Sequence, residues 1–144
     1  MQIKNVQLLN FGNIIATNET RSLNKESLAG YLLHSDRIKF INHQDILEGE
    51  VGLSFGVEYY LEGFKAKSKL DDVHFISKIT HPMLTNPVNK ESTTETVERK
   101  YNYLNHTNYD YFVFEYDWEI KPGLWTFQVI EENTILFEKA FTII

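Results

Sequence analysis

Glu50-Val51-Gly52-Leu53-Ser54-Phe55-Gly56-Val57-Glu58-Tyr59-Tyr60-Leu61-Glu62 is the stretch that decides the fold. Val51, Leu53, Phe55, Val57, Tyr59 and Leu61 hold the odd positions, and glutamates, glycines, Ser54 and Tyr60 hold the even ones. A period of two over this length reads as a β-strand with one face buried. A helix would set Val51 and Leu53 about 200° apart and give the apolar set no common face. Gly52 and Gly56 fall on the outer face, which suggests a bulge or a close approach by other backbone.

The same period recurs on both sides. Asp110 to Trp118 reads as a second strand, with Phe112, Phe114, Tyr116 and Trp118 on one face and Tyr111, Val113, Glu115 and Asp117 on the other. Leu124 to Ile130, a turn at Glu131-Glu132-Asn133, and Thr134 to Ile143 read as a hairpin with Trp125, Phe127 and Val129 facing the core. Weaker strands are expected over Ile3 to Ile15, Arg37 to Asn42, Val73 to Thr80 and Glu95 to Leu104. The first changes phase near Gly12, where a bulge or bend is expected. Ser22 to His34 has a partial helical spacing at Leu23, Leu28, Tyr31 and Leu32, with Asn24 as a cap, so a short helix is expected there although Gly30 weakens it. Gly63, Asp71-Asp72, Pro82, Pro87, Asn105 to Asn108 and Pro122-Gly123 punctuate the strands. The polar stretch from Asn86 to Thr96 is expected to be an exposed loop. The reading is an all-β, antiparallel β-sandwich, immunoglobulin-like, of about seven or eight strands with at most one short helix. It forms one domain over residues 1–144, with a closed barrel as the alternative.

Composition agrees. One domain accounts for 144 residues and 16.9 kDa. There is no cysteine, which excludes a disulfide scaffold, a thiolate metal site and a cysteine nucleophile. The net charge of −6 argues against a nucleic-acid partner. Aromatic residues make up 14% of the chain, enough for a core without disulfides. Asn5, Gln7 and Asn10 interrupt the apolar residues at the start, so no signal peptide is read there, and no stretch approaches the roughly 20 apolar residues of a membrane span. The expected location is therefore the cytoplasm, with no membrane partner, and the sequons at Asn18-Glu19-Thr20 and Asn105-His106-Thr107 carry no meaning.

Few residues combine into a chemical constellation. His74 and His81 are the nearest histidine pair, but an odd separation puts them on opposite faces of one strand, so no metal site is read. Glu115, Asp117 and Glu119 would project to one side of a strand about 7 Å apart, as a solvated acidic face or, less simply, as cation ligands. No Gly-x-Ser-x-Gly elbow and no glycine-rich phosphate loop occur, and no cofactor or catalytic residue is assigned. Lys65, Lys67 and Lys69 read as solubilising residues of a loop or edge strand. Tyr101, Tyr103, Tyr109 and Tyr111 cluster around one turn, with Asn102, Asn105 and Asn108 between them. Tyrosine supplies large contact area at low entropic cost, so these four are the candidate binding residues.

Trp118-Glu119-Ile120-Lys121-Pro122-Gly123-Leu124-Trp125-Thr126-Phe127, closing with Lys139-Ala140-Phe141-Thr142, resembles a bacterial family of uncharacterised single domains, domain of unknown function 3859. Gly52-Leu53-Ser54-Phe55-Gly56 and His81-Pro82 fall where that family has similar elements, and the resemblance covers roughly residues 37–143. It implies a β-sandwich and supplies no activity, and some members look like products of mobile gene cassettes. Physically, Pro122-Gly123 makes a tight turn that launches Trp125 and Phe127 into the core. Pro82 would end the strand before it, because proline cannot donate to the ladder.

Two functions are expected of such a chain. The first is non-enzymatic binding, by self-association into a homodimer or homo-oligomer or to a protein partner, through the four tyrosines. The second is binding of a small molecule or carbohydrate, with or without hydrolysis, which requires a concave pocket lined by Tyr, Trp and carboxylates.

Overall fold

A computed structural model describes residues 1–17, 20–23, 27–34, 37–64 and 72–144. Lys65, Lys67, Lys69 and Asn24 lie outside the described residues. The described strands are β1 (Ile3–Thr17), β2 (Thr20–Leu23), β3 (Tyr31–His34), β4 (Arg37–Phe40), β5 (Ile46–Leu47), β6 (Ser54–Gly63), β7 (Asp72–Thr85), β8 (Ser92–Tyr103), β9 (His106–Val113), β10 (Gly123–Glu131) and β11 (Thr134–Ile143). Two sheets pack face to face, one in the order β4-β1-β6-β9 and the other in the order β5-β11-β10-β7-β8. Nine strands thus form an open sandwich and not a closed barrel. All pairs are antiparallel except β5 with β11, which is parallel. Strands β2 and β3 form a separate hairpin.

The alternation in β6 sorts its side chains as expected, with Phe55, Val57, Tyr59 and Leu61 at most 1% exposed. Val51 is the exception. The strand begins at Ser54, so Val51 sits in the preceding turn and is exposed. The core centres on the Phe55 ring, which lies 5.4 Å from Phe114 and Phe141 and 5.8 Å from Trp125 and Phe127. Such tilted and edge-on aromatic pairs add specific contacts to the area that they bury.

Five expectations are corrected. Tyr31 to His34 is a strand, not helix, in register with Thr20 to Leu23, and Ser27 to Gly30 is the turn between them. The helical spacing there was partial, and cross-strand pairing outweighs it. Pro82 does not end β7. It sits in an irregularity between Thr80 and Leu84, where the ladder to β8 skips and needs no proline donor. The loop expected over Asn86 to Thr96 is a short turn, because Ser92 onward pairs with β7. The strand expected to run to Trp118 ends at Val113, and a single 3-10 turn follows at Asp117–Glu119. The bulge expected near Gly12 lies between Leu8 and Asn10. Gly12 itself has φ +136°, and a Cβ there would stand 2.1 Å from the Asn42 carbonyl oxygen, so the chain after β4 can cross β1 only over a glycine.

Candidate functional site

Strands β8 and β9 are the edges of the two sheets on the same side of the sandwich, and Leu104-Asn105 carries the chain from one to the other. Among the described residues neither edge pairs with a further strand. Register fixes which side chains face inward. On β8, Thr96, Glu98, Lys100 and Asn102 stand opposite Ile79, Ser77, Phe75 and Val73 of the buried face of β7. On β9, Asn108, Asp110 and Phe112 stand opposite Tyr59, Val57 and Phe55. Apart from Phe112, the inward positions at this side of the sandwich are therefore polar, and a cavity of about 330 Å³ lies between the sheets there.

A chain of polar contacts forms its floor. Lys100 Nζ forms an ion pair with Asp110 and donates to the Tyr109 carbonyl at 2.8 Å. Ser77 Oγ donates to Asp110 Oδ2 at 2.8 Å, and the Tyr59 hydroxyl lies 3.4 Å from Ser77 Oγ. The Asn102 amide donates to Asn108 Oδ1. Burial, and then the nearby Asp110 charge, push the Tyr59 phenol well above its ordinary pKa, so it stays protonated and able to donate. Lys100 and Asp110 side chains are only 12% and 7% exposed, so this is a largely buried ion pair.

The other end of the cavity is built by the chain leaving β9. The expected row of Glu115, Asp117 and Glu119 does not form, because the 3-10 turn folds Glu119 back. Its Oε1 accepts the backbone N–H groups of Glu115 at 2.9 Å and Tyr116 at 3.0 Å. Glu119 is 6% exposed and lines the cavity. Burial raises its carboxyl pKa to about 7, against the lowering effect of the two N–H donors. Glu115 takes the Tyr31 hydroxyl at 2.5 Å and the Arg21 guanidinium at 3.2 Å, so the β2–β3 hairpin is tied to this end. Burial and the bond to Glu115 raise the Tyr31 phenol. His81, opposite, stacks on Trp125 at 4.8 Å. Its Nδ1 lies 2.8 Å from the Pro82 carbonyl and its Nε2 lies 3.1 Å from Thr96 Oγ1, and burial lowers its pKa. A neutral ring that donates from Nδ1 to the carbonyl leaves Nε2 to accept from Thr96.

The four tyrosines are brought into two pairs, not one cluster. Tyr101 and Tyr103 stand opposite His74 and Asp72 on the outer face of the five-stranded sheet. There the Tyr101 ring lies 4.3 Å from His74 and its hydroxyl bonds Asp72. Tyr109 and Tyr111 stand opposite Glu58 and Gly56 on the outer face of the four-stranded sheet. Tyr109 and Tyr111 contribute to the cavity rim, while Tyr101 and Tyr103 do not. Sequence reasoning missed Ser77, Lys100, Asp110 and Tyr31 as members of a site, and singled out Glu119 only as part of a strand row with Glu115 and Asp117. A signal existed for two of them. Lys100 lies on a strand with no apolar face, and Asp110 shares its phase with Phe112 and Phe114, a charge in line with core aromatics.

The fold resembles a solved structure, the crystal structure of an immunoglobulin-like protein from Pseudomonas aeruginosa. The TM-score is 0.64 at 16% identity, with 96% of each chain covered. That likeness is one of fold alone. No curated protein matches the chain. The family model described as Domain of unknown function (DUF3859) matches residues 4–143, so the match reaches well before Arg37 and takes in β1. With its sequence matched over nearly its whole length and its nine-stranded sandwich in place, the chain belongs to the DUF3859 family.

Proposed function

We propose that this chain is a non-enzymatic binding domain that takes a small polar molecule into the cleft between β8 and β9. The observation that carries the reading is the cavity of about 330 Å³, roughly the lower bound for small-ligand sites, with charged and hydroxyl groups converging on it. The apolar side chains Ile38, Ile79, Phe112 and Phe127 supply contact area, and Ser77, Asp110 and Glu119 supply orientation. The Ser77 hydroxyl donates to a carboxylate that is itself tied to Lys100, which fixes the orientation of the serine. Sequence alone ranks interaction through the tyrosines first, and the cavity reverses that order. The test is a panel of sugars, amino acids, amines and small acids followed by thermal shift, with Thr96→Trp as the variant that fills the cleft from β8. A ligand that raises the melting temperature of the parent chain, and binds the variant at least about tenfold more weakly, supports the reading. Absence of any shift, or a shift that Thr96→Trp leaves untouched, overturns it.

A second reading is favoured by one observation: Tyr101, Tyr103 and Tyr109 remain 57%, 43% and 40% exposed beside open strand edges. Self-association through one pair gives a dimer that light scattering detects and that Tyr101→Ser with Tyr103→Ser, or the corresponding changes at Tyr109 and Tyr111, dissociates. A monomer at millimolar concentration removes it.

A further inference from the structure

We infer that the β2–β3 hairpin is a strap over the Glu115 end of the cleft, latched shut on that carboxylate, and that solutes enter the cavity when the latch releases. The inference rests on the cleft reading above and adds how the cleft is closed. The first observation is topological. The hairpin joins neither sheet of the sandwich. It springs from the end of the β1–β4 pair, where Thr17 stands opposite Arg37. Both sheets are complete without it, yet Ser27, Ala29 and Tyr31 line the cavity.

The second observation is where the hairpin is held. On one side the Tyr31 hydroxyl donates to Glu115 Oε2 at 2.5 Å and lies 3.0 Å from the Tyr116 hydroxyl, while Arg21 Nη2 donates to Glu115 Oε1 at 3.2 Å. The Arg21 guanidinium also lies 4.5 Å over the Tyr31 ring, so the two latch residues brace each other. Glu115 belongs to the chain leaving β9, an edge of the four-stranded sheet. On the other side the amide of Asn86, the residue after β7 of the five-stranded sheet, donates to the Leu28 carbonyl at 3.3 Å. The hairpin is therefore fastened to both sheets, across the cavity that lies between them.

These fastenings part without unfolding the domain. Among the described residues Leu28 is the one side chain of the insertion that packs against the core, and Leu23 is exposed. Arg21 is exposed too, which makes its ion pair weak, so the Tyr31 hydroxyl on the Glu115 carboxylate is the stronger bond of the latch. Lifting the strap exchanges those hydrogen bonds for water and uncovers one leucine, while Phe55, Trp125 and Phe127 stay packed. An element held in this way opens locally at a lower cost than the sandwich unfolds.

The chain has no cysteine, so one introduced thiol reports alone. The experiment puts it on the cavity wall of the full chain with Ser77→Cys and follows its reaction with iodoacetamide across low urea concentrations, with Val129→Cys in the core as the reporter of global unfolding. The expected Ser77→Cys thiol reacts at least about a hundredfold more slowly than in the urea-unfolded chain, and at a rate nearly independent of urea below the unfolding transition. Tyr31→Phe with Arg21→Met, which removes both donors of the latch, is expected to speed that reaction at least about tenfold. Should Ser77→Cys fail to fold, Thr96→Cys on the neighbouring strand takes its place. A thiol as reactive as in the unfolded chain shows a cleft that is already open and overturns the inference. So does a rate that the latch variant leaves unchanged, or one that climbs with urea as steeply as that of Val129→Cys. No ligand enters this test, so its failure leaves the cleft reading to the compound panel, and a silent panel overturns that reading without touching the thiol result.

Discussion

Glu119 shows what one buried carboxyl does to a small domain. Its folded pKa, about 7, lies above the ordinary carboxyl value of 4.5, so the folded chain holds a proton that the unfolded chain has released. Its contribution is present in full below pH 4.5 and is lost as pH climbs through about 7, a loss on the order of 3 kcal/mol. Glu119→Gln removes that dependence. Relative to the parent chain the variant should gain stability between pH 5 and pH 8, as urea melts at the two pH values will show. No gain would mean that Glu119 is ionised in the folded chain without cost. The Lys100–Asp110 pair behaves differently, because each partner is buried with the other. Lys100→Met leaves the Asp110 charge uncompensated and should cost about 3–5 kcal/mol. Adding Asp110→Asn should recover part of that loss, and a double-mutant cycle by denaturant melting reads the coupling. Of these groups, Glu119 was placed by sequence in a strand row with Glu115 and Asp117. Its fold-back depends on the 3-10 turn, which no local alternation announces.

The cleft is made by two edge strands, so its geometry depends on what holds β9 to β6. Gly56 stands opposite Tyr111, and a Cβ at Gly56 would lie 2.1 Å from the Asp110 carbonyl oxygen and 2.6 Å from Tyr111 Cα. Both are backbone-side obstacles that cannot swing away. Gly56→Ala should force β6 and β9 apart, cost about 3 kcal/mol, and speed amide exchange along His106–Val113 more than along β10. Uniform exchange across both sheets would show that the strain spreads and leaves the cleft as it is. The close approach at Gly56 was legible in the sequence as a glycine on the outer face of an otherwise regular strand. That the approaching backbone is β9, and that it carries Asp110 into the cleft, was not. The polar inner face of β8 was equally visible as a strand lacking an apolar side, but a solvated edge and a cleft wall have the same pattern.

At the scale of the whole molecule, both sheets share one aromatic core, with Trp125 fully buried between them and its indole N–H donating to the Lys121 carbonyl at 2.9 Å. Shared packing of this kind couples the sheets, so unfolding followed by tryptophan fluorescence and by far-ultraviolet circular dichroism should coincide. Trp125→Ala should cost about 3–5 kcal/mol by those same melts. A loss under about 1 kcal/mol would mean that the site repacks or is open. The fold follows from alternation, turn residues and an aromatic supply that needs no disulfide. Those are local properties, and a strand that must bury one face writes them into adjacent residues, which is why β6, β10 and β11 could be read directly. The tertiary structure alone decided the pairing of β8 and β9 as facing edges, the separation of the four tyrosines into pairs on opposite outer faces, and the convergence of Ser77, Lys100, Asp110 and Glu119 on one cavity. Those residues lie up to 42 positions apart, on strands whose own periodicity records only which way each side chain points. Alternation fixes the face of a residue, while the neighbour across the sandwich is set by how two sheets pack, and the site exists only in that second relation.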